Sequence, residues 1–228
     1  MKVISKAVKN KTKKPVKFYD QEEEKLNIIT HGIGVVLSIV ALVLLVVYAA
    51  KTGTVWHVVS FSIFGSSLIL LYSASTIYHS SKNPKWREKL NIIDHSAIYV
   101  LIAGTYTPFC LVTLNGTIGW VIFGISWGIA IVGIILKLFF TGKYERASTI
   151  AYVLMGWIII FAIKPLVENL PQNGLIWLLI GGLFYTIGAV LYSIKSLKYN
   201  HAIFHIFVLL GSFSHFMAIF FYVLPHSE

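Results

Sequence analysis

Residues 28–50 read IITHGIGVVLSIVALVLLVVYAA, with no Asp, Glu, Lys or Arg among them. A helix rises about 1.5 Å per residue, so about 20 apolar residues cross the hydrocarbon core of a bilayer, whereas a soluble core helix stays apolar for about ten to fourteen. This stretch exceeds the hydrophobic region of a signal peptide and is not followed by a small-residue cleavage site, so it reads as a retained span. Comparable stretches recur down the chain. We place spans near residues 27–50, 55–80, 90–113, 117–139, 147–164, 174–196 and 200–224. Turn chemistry separates them, at Lys51-Thr52-Gly53, Asn83-Pro84, Asn115-Gly116, Thr141-Gly142, Pro171-Gln172-Asn173-Gly174 and Tyr199-Asn200. The expected fold class is all-α, a polytopic membrane protein with a seven-transmembrane-helix bundle over 26–225. A basic tail over 1–25 is expected to be mostly disordered. A re-entrant fifth segment is the alternative to seven full crossings.

The composition agrees with a lipid environment. Of 228 residues, 57% are hydrophobic and 12% charged, too apolar for a water-soluble domain. A net charge of +10 raises the question of nucleic acid. The basic residues, however, flank hydrophobic spans rather than cover a soluble domain, which points to anionic lipid head groups and away from nucleic acid. Cys110 is the single cysteine and lies within an apolar stretch, which excludes a disulfide framework or a cysteine metal site within one chain.

Charge also orients the bundle, because cytoplasmic loops carry the excess of Lys and Arg. With the N-terminus inside, the inner segments hold the eight tail lysines, then Lys82, Lys85, Arg87 and Lys89, then Lys137, Lys143 and Arg146, then Lys195 and Lys198. Only Lys51 and Lys164 of the 19 basic residues fall outside. The alternation supports seven crossings, with the N-terminus in the cytoplasm and the C-terminus outside.

Ionisable groups are costly inside a bilayer and mark candidate functional sites. On the span boundaries above, Asp94 is the one embedded acid. His31, His79, His95, His201 and His205 map to inner ends, His57 and His226 to the outer face, and His215 lies deep. His201 and His205 stand four apart, as do Ser75 and His79, so each pair shares a helix face. Three neutral imidazoles plus a water make a catalytic-type zinc site, and Asp94 can hold that water or orient a ligand. Ordinary interhelical hydrogen bonding is the competing reading. For His31 and His95 we expect interfacial capping or hydrogen bonding. His215, about 21 Å further along its helix than His201, is expected to be a satisfied polar residue. Pro108 should kink the third span, and Gly124, Gly128, Gly181, Gly182 and Gly188 should let helices approach closely.

Several motifs occur in order across residues 22 to 225: Glu24-x-x-Asn27-x-x-Thr30-His31, Ser75-x-x-x-His79, Asp94-His95 leading to Ala103-Gly104-Thr105-Tyr106-Thr107-Pro108, and His201-x-x-x-His205. With this pattern the chain resembles the hemolysin III group, within the superfamily of progestin and adiponectin receptors and alkaline ceramidases. The resemblance implies a Zn2+ ion held by His79, His201 and His205, with Ser75 and Asp94 at the accompanying polar positions, in a protein of the bacterial plasma membrane.

Three functions follow as expectations. The first is a zinc-dependent hydrolase acting on the amide or ester of a membrane lipid, with Asp94 and Ser75 as catalytic residues. In the second, zinc is structural and the bundle is a receptor or regulator that senses lipid or membrane state. The third, cytolysis, is suggested by the group's name, although the polar residues gather at one end instead of forming stripes along whole spans. The expected partners are membrane lipids, as substrate or ligand.

Overall fold

The computed structural model describes residues 16–224. Among them, seven helices are long and apolar enough to cross a membrane: Gln21–Thr52, Val55–Ser80, Pro84–Thr113, Thr117–Phe140, Glu145–Asn169, Gln172–Ser193 and Asn200–Val223. Large apolar side chains project outward along them, Phe139 and Phe161 among the most exposed, as expected of faces that meet lipid. The protein is an integral membrane protein of all-α class. The tail residues 1–15 and His226 lie outside the described residues; of the tail expected to be mostly disordered, residues 16–25 are described, and Gln21 to Lys25 are helical.

The breaks fall at the expected turns, and their local causes are visible. Asn83 accepts hydrogen bonds from the backbone N–H of Lys85 and Trp86 and is followed by Pro84 at the first helical position, a strong start signal. Asn115 and Gly116 take positive φ between the third and fourth helices, and Tyr199 does so before the seventh. The first helix begins at Gln21, well ahead of 27. Glu22, Glu23 and Glu24 occupy its first turn, where the helix dipole favours negative charge, and Glu23 is buried.

The fifth helix, long and apolar enough to cross, contains a 3-10 segment at Ile158–Ala162. Pro165 supplies no N–H to the carbonyl of Phe161, which loosens the α-helical ladder there. Tyr106 repairs part of the break: its hydroxyl lies 3.1 and 2.6 Å from the carbonyls of Met155 and Gly156 and accepts the N–H of Ile159 at 3.2 Å. Pro108 ends the α-helical part of the third helix, and a π-helical turn, Phe109–Thr113, completes it.

Packing runs first on second, second on third and third on fourth helix, with the seventh clasped between the sixth and the first. The third helix, which carries Asp94, is the most buried, and the fifth is the most sparsely packed. Close approach depends on glycine at Gly181, where a Cβ would fall 2.4 Å from the His215 ring, and at Gly188, where it would fall 2.7 Å from Phe207. Gly182 permits ordinary contact with Trp157. Gly124 and Gly128 do not act as expected, since nothing lies within 4 Å of a Cβ at either, and their four-residue spacing faces away from the bundle.

Candidate metal centre

The second helix ends in the bundle with His79, and the seventh begins there with His201 and His205 one turn apart. All three are buried. Their donor nitrogens lie within 4.8 Å of one another and could hold a metal ion. The Nε2 atom of His201 is 3.0 Å from that of His79 and 3.1 Å from that of His205. Zinc–nitrogen bonds of about 2.0–2.1 Å in tetrahedral array imply nitrogen separations of roughly 3.3 Å, so the spacing suits such an ion.

The rings lie within hydrogen-bond distance of one another, so their proton positions decide how far they bond and how far they offer lone pairs to a cation. His79 Nδ1 is 2.6 Å from Glu24 Oε2 and therefore carries the proton, leaving a lone pair at Nε2. The Thr30 hydroxyl donates to the Leu26 carbonyl at 2.7 Å, so its oxygen is free to accept from His205 Nδ1 in a longer contact of 3.5 Å. His205 then also presents a lone pair at Nε2. His201 Nε2 touches both nitrogens and can donate to one at most. A cation at the centre satisfies all three.

A buried network holds the histidines in place. The second carboxylate oxygen of Glu24 accepts from Arg87 Nη2, and Arg87 Nη1 donates to the carbonyls of Tyr78, His79 and Ser81 at 3.1, 3.3 and 3.0 Å. The guanidinium thus caps the end of the second helix and fixes the carboxylate that orients His79. Glu23 Oε1 accepts the backbone N–H of His201 at 3.1 Å, satisfying a donor in the first turn of the seventh helix. Asn27 lies within reach of His79 Nδ1, at 3.4 Å. Outside the helices, Tyr19 stacks on His201 with ring centroids 4.6 Å apart, and burial holds its phenol well above the ordinary range. Arg87 Nε donates to the Lys17 carbonyl at 3.0 Å, which ties this segment down across the site.

The reading of Asp94 as the one embedded acid is therefore corrected. Glu23 and Glu24 are also within the site, because the first helix starts earlier than expected, Arg87 pairs with Glu24, and His79 and the backbone N–H of His201 hydrogen-bond to the two acids. Arg87, which in the sequence marks only topology, is part of the same network. The signals for this network were Glu24 and Asn27 in the first motif, spaced like a helix face, and a lone Arg among lysines in the second loop.

Ser75 and Asp94 line a cavity of about 350 Å³ that begins at His201 and His205 and runs among apolar side chains, past Tyr106 and Trp157, as far as His215. Asp94 is not among the residues whose donor atoms cluster. The Ser75 hydroxyl is buried, with the Asp94 carboxylate as its hydrogen-bonding neighbour. His31 departs from expectation: it stacks on His205 at 3.5 Å, nearly parallel, and neither of its ring nitrogens finds a hydrogen-bond partner among the described residues. His95 Nδ1 is likewise unpartnered. His215 is satisfied, with Nδ1 2.7 Å from the Gly211 carbonyl and its ring stacked on Tyr185. His57 joins the start of the second helix to the Val223 carbonyl, 3.2 Å from its Nε2.

Comparisons with known proteins agree with this architecture. Residues 19–216 match the haemolysin-III related family. The chain is 52% identical over 204 residues to Hemolysin-3 of Bacillus cereus, covering 90% of this chain and 93% of the relative. It is 50% identical over 201 residues to the Hemolysin-3 homolog of Bacillus subtilis (strain 168), covering 88% and 94%. At 28% identity over 208 residues, covering 88% and 84%, it is also similar to the monocyte to macrophage differentiation factor of Homo sapiens. A seven-helix bundle with buried histidines from its second and seventh helices, matched along nearly its whole length, belongs to the haemolysin-III related family.

Proposed function

We propose that the protein is a zinc-dependent hydrolase of a membrane-lipid amide or ester, with its N-terminus and metal centre on the cytoplasmic side. The observation that carries this reading is the meeting of two environments. Three buried imidazoles converge at one end of an apolar cavity, and the same end carries an acid with a buried hydroxyl beside it. His79, His201 and His205 would hold the ion. Bound there, zinc supplies Lewis acidity toward a carbonyl and lowers the pKa of a water.

The chain's own groups supply the rest. Asp94, outside the ligand cluster but on the cavity wall, accepts the proton of the attacking water as general base. Ser75 Oγ donates a hydrogen bond to the oxygen on which negative charge develops. The apolar wall beyond them takes the acyl chain and excludes water from it. Glu24 keeps His79 in the tautomer that turns Nε2 inward, and Arg87 fixes Glu24. Only oxygen and nitrogen chemistry is required, which suits a site of histidine and carboxylate.

Lipid turnover by purified, metal-loaded protein, compared with Asp94→Asn, tests the reading. Loss of turnover with metal content unchanged is expected. Wild-type turnover in the variant would contradict it.

One observation favours a structural role for the metal instead: Glu24, Arg87 and the three histidines bind the first, second, third and seventh helices into one polar knot. On that reading Asp94→Asn leaves every lipid assay unaltered, while metal removal lowers the unfolding temperature. Cytolysis, the remaining alternative, requires dye release from protein-free liposomes that persists in His201→Ala.

A further inference from the structure

Lys137 belongs to the inner end of the fourth helix, yet it is only 5% exposed. A buried ammonium is costly unless paired. Its one hydrogen bond among the described residues goes to the Ser148 hydroxyl, at 2.7 Å, and no carboxylate there lies within ion-pair distance. An ammonium has three N–H donors, and beyond Ser148 this one faces the Tyr152 ring, 5.7 Å from its centroid, which accepts no conventional hydrogen bond. Lys137 lines the same cavity as Asp94 and Ser75.

The cavity does not end at Lys137. Glu145, Thr149 and Tyr192 line both this cavity and a second recess of about 420 Å³, whose wall carries Lys143, Arg146 and Lys195. Lys17 adds a further charge nearby. Burial, and then the neighbouring Lys195, hold its ammonium below the ordinary range. Cations thus line the outer recess and, through Lys137, the cavity on the other side of the shared residues. Glu145 is the acid of this collar, exposed in the first turn of the fifth helix, where the helix dipole favours its charge.

We propose that this collar is an anion subsite, with Lys137 as its buried anchor, and that the lipid taken by the cavity carries a phosphate head group. The acyl chain occupies the apolar cavity, the bond to be cleaved lies beside Asp94 and Ser75, and the phosphate bridges Lys137 and the basic recess. Basic loops attract anionic bilayer surfaces without any pocket. Lys137 is different because it is inside the bundle, where only a ligand entering the cavity reaches it. The assignment of the cleaved bond rests on the hydrolase reading. The anion subsite does not.

The test measures binding to full-length metal-loaded protein in neutral detergent. Asp94→Asn is the background, so that turnover does not interfere. The probes are a lysophosphatidic acid and a monoacylglycerol of the same brominated chain. Quenching of Trp157, which lines the cavity, reports occupancy, and Trp157→Phe identifies its signal. The phosphate amphiphile should bind on the order of tenfold tighter or more than its neutral twin, the effect of a charge-assisted hydrogen bond. Lys137→Met should abolish that preference while leaving the neutral twin's affinity in place, and Lys137→Arg should retain most of it. Inorganic phosphate at millimolar concentration that fails to displace the amphiphile supports a lipid head group. Displacement that disappears in Lys137→Met also supports the anion site and assigns it to free phosphate.

Equal affinity for the twins in the Lys137 protein overturns the proposal, and so does an unaltered preference in Lys137→Met. If Lys137→Met loses its metal and so reports on folding, the twin comparison with Lys137 present still decides. Neutral lipid hydrolysed with no anion preference would remove this inference and leave the hydrolase. Phosphate amphiphile bound tightly but never cleaved by protein with Asp94 would do the reverse.

Discussion

Glu24 in the first helix accepts a hydrogen bond from His79 in the second at 2.6 Å, although 55 residues separate them in the chain. This contact decides which nitrogen of His79 faces the cluster. An acid at that position keeps the proton on Nδ1 and the lone pair on Nε2, and it raises the basicity of the ring toward a cation. Glutamine in its place keeps the shape and loses the charge.

Glu24→Gln is therefore expected to weaken metal binding by about 10- to 100-fold, the usual cost of losing such a partner. Competition with a chelator of known affinity measures it. Unchanged affinity would mean that the histidine is oriented without the acid.

Arg87, 1% exposed, donates to Glu24 and to three carbonyls at the end of the second helix. Arg87→Met leaves the Glu24 carboxylate without its cation and those carbonyls without a donor, a loss of about 3–5 kcal/mol for a broken buried pair. The midpoint of thermal unfolding in detergent should fall markedly. The double variant Glu24→Gln/Arg87→Met should lose less than the sum of the singles, because the two share one interaction.

Metal binding should depend on pH with a definite sign. Each ligand must be a neutral imidazole, so protons compete with the ion as pH falls. Retention at neutral pH and progressive release on acidification are expected, read by dialysis and elemental analysis. Metal held more tightly as the pH falls would contradict histidine ligation.

Gly181→Ala should destabilise by about 1–3 kcal/mol, because the added carbon falls 2.4 Å from the His215 ring between the sixth and seventh helices. Gly124→Ala meets nothing within 4 Å and should be neutral, or stabilising by at most about 1 kcal/mol through helix propensity. Unfolding midpoints of the pair distinguish the two sites.

Much of this molecule is legible in one dimension because lipid imposes a one-dimensional rule. A span must stay apolar for its whole length, so the seven helices and the turns at Asn83-Pro84, Asn115-Gly116 and Tyr199-Asn200 follow from local sequence. The convergence of His79 with His201 and His205 was accessible once those spans were counted, since depth is fixed by position along a span. Rotation about the helix axis is not fixed in this way. Spacing alone therefore could not tell that Gly124 and Gly128 face away from the bundle while Gly181 packs on His215, or that His31 stacks on His205 instead of bonding. The acids at Glu23 and Glu24 were hidden for another reason. A charged run beside a span reads as solvated tail until Arg87 and the hydrogen-bond donors of His79 and His201 are brought to it from other helices.

The metal content of detergent-purified protein, wild type beside His79→Ala, His201→Ala and His205→Ala, tests the central claim most directly. Stoichiometric zinc in the wild type and its loss from each folded variant is the expected result. Folded wild-type protein that takes up no metal, or a His79→Ala variant that keeps all of it, would contradict the account.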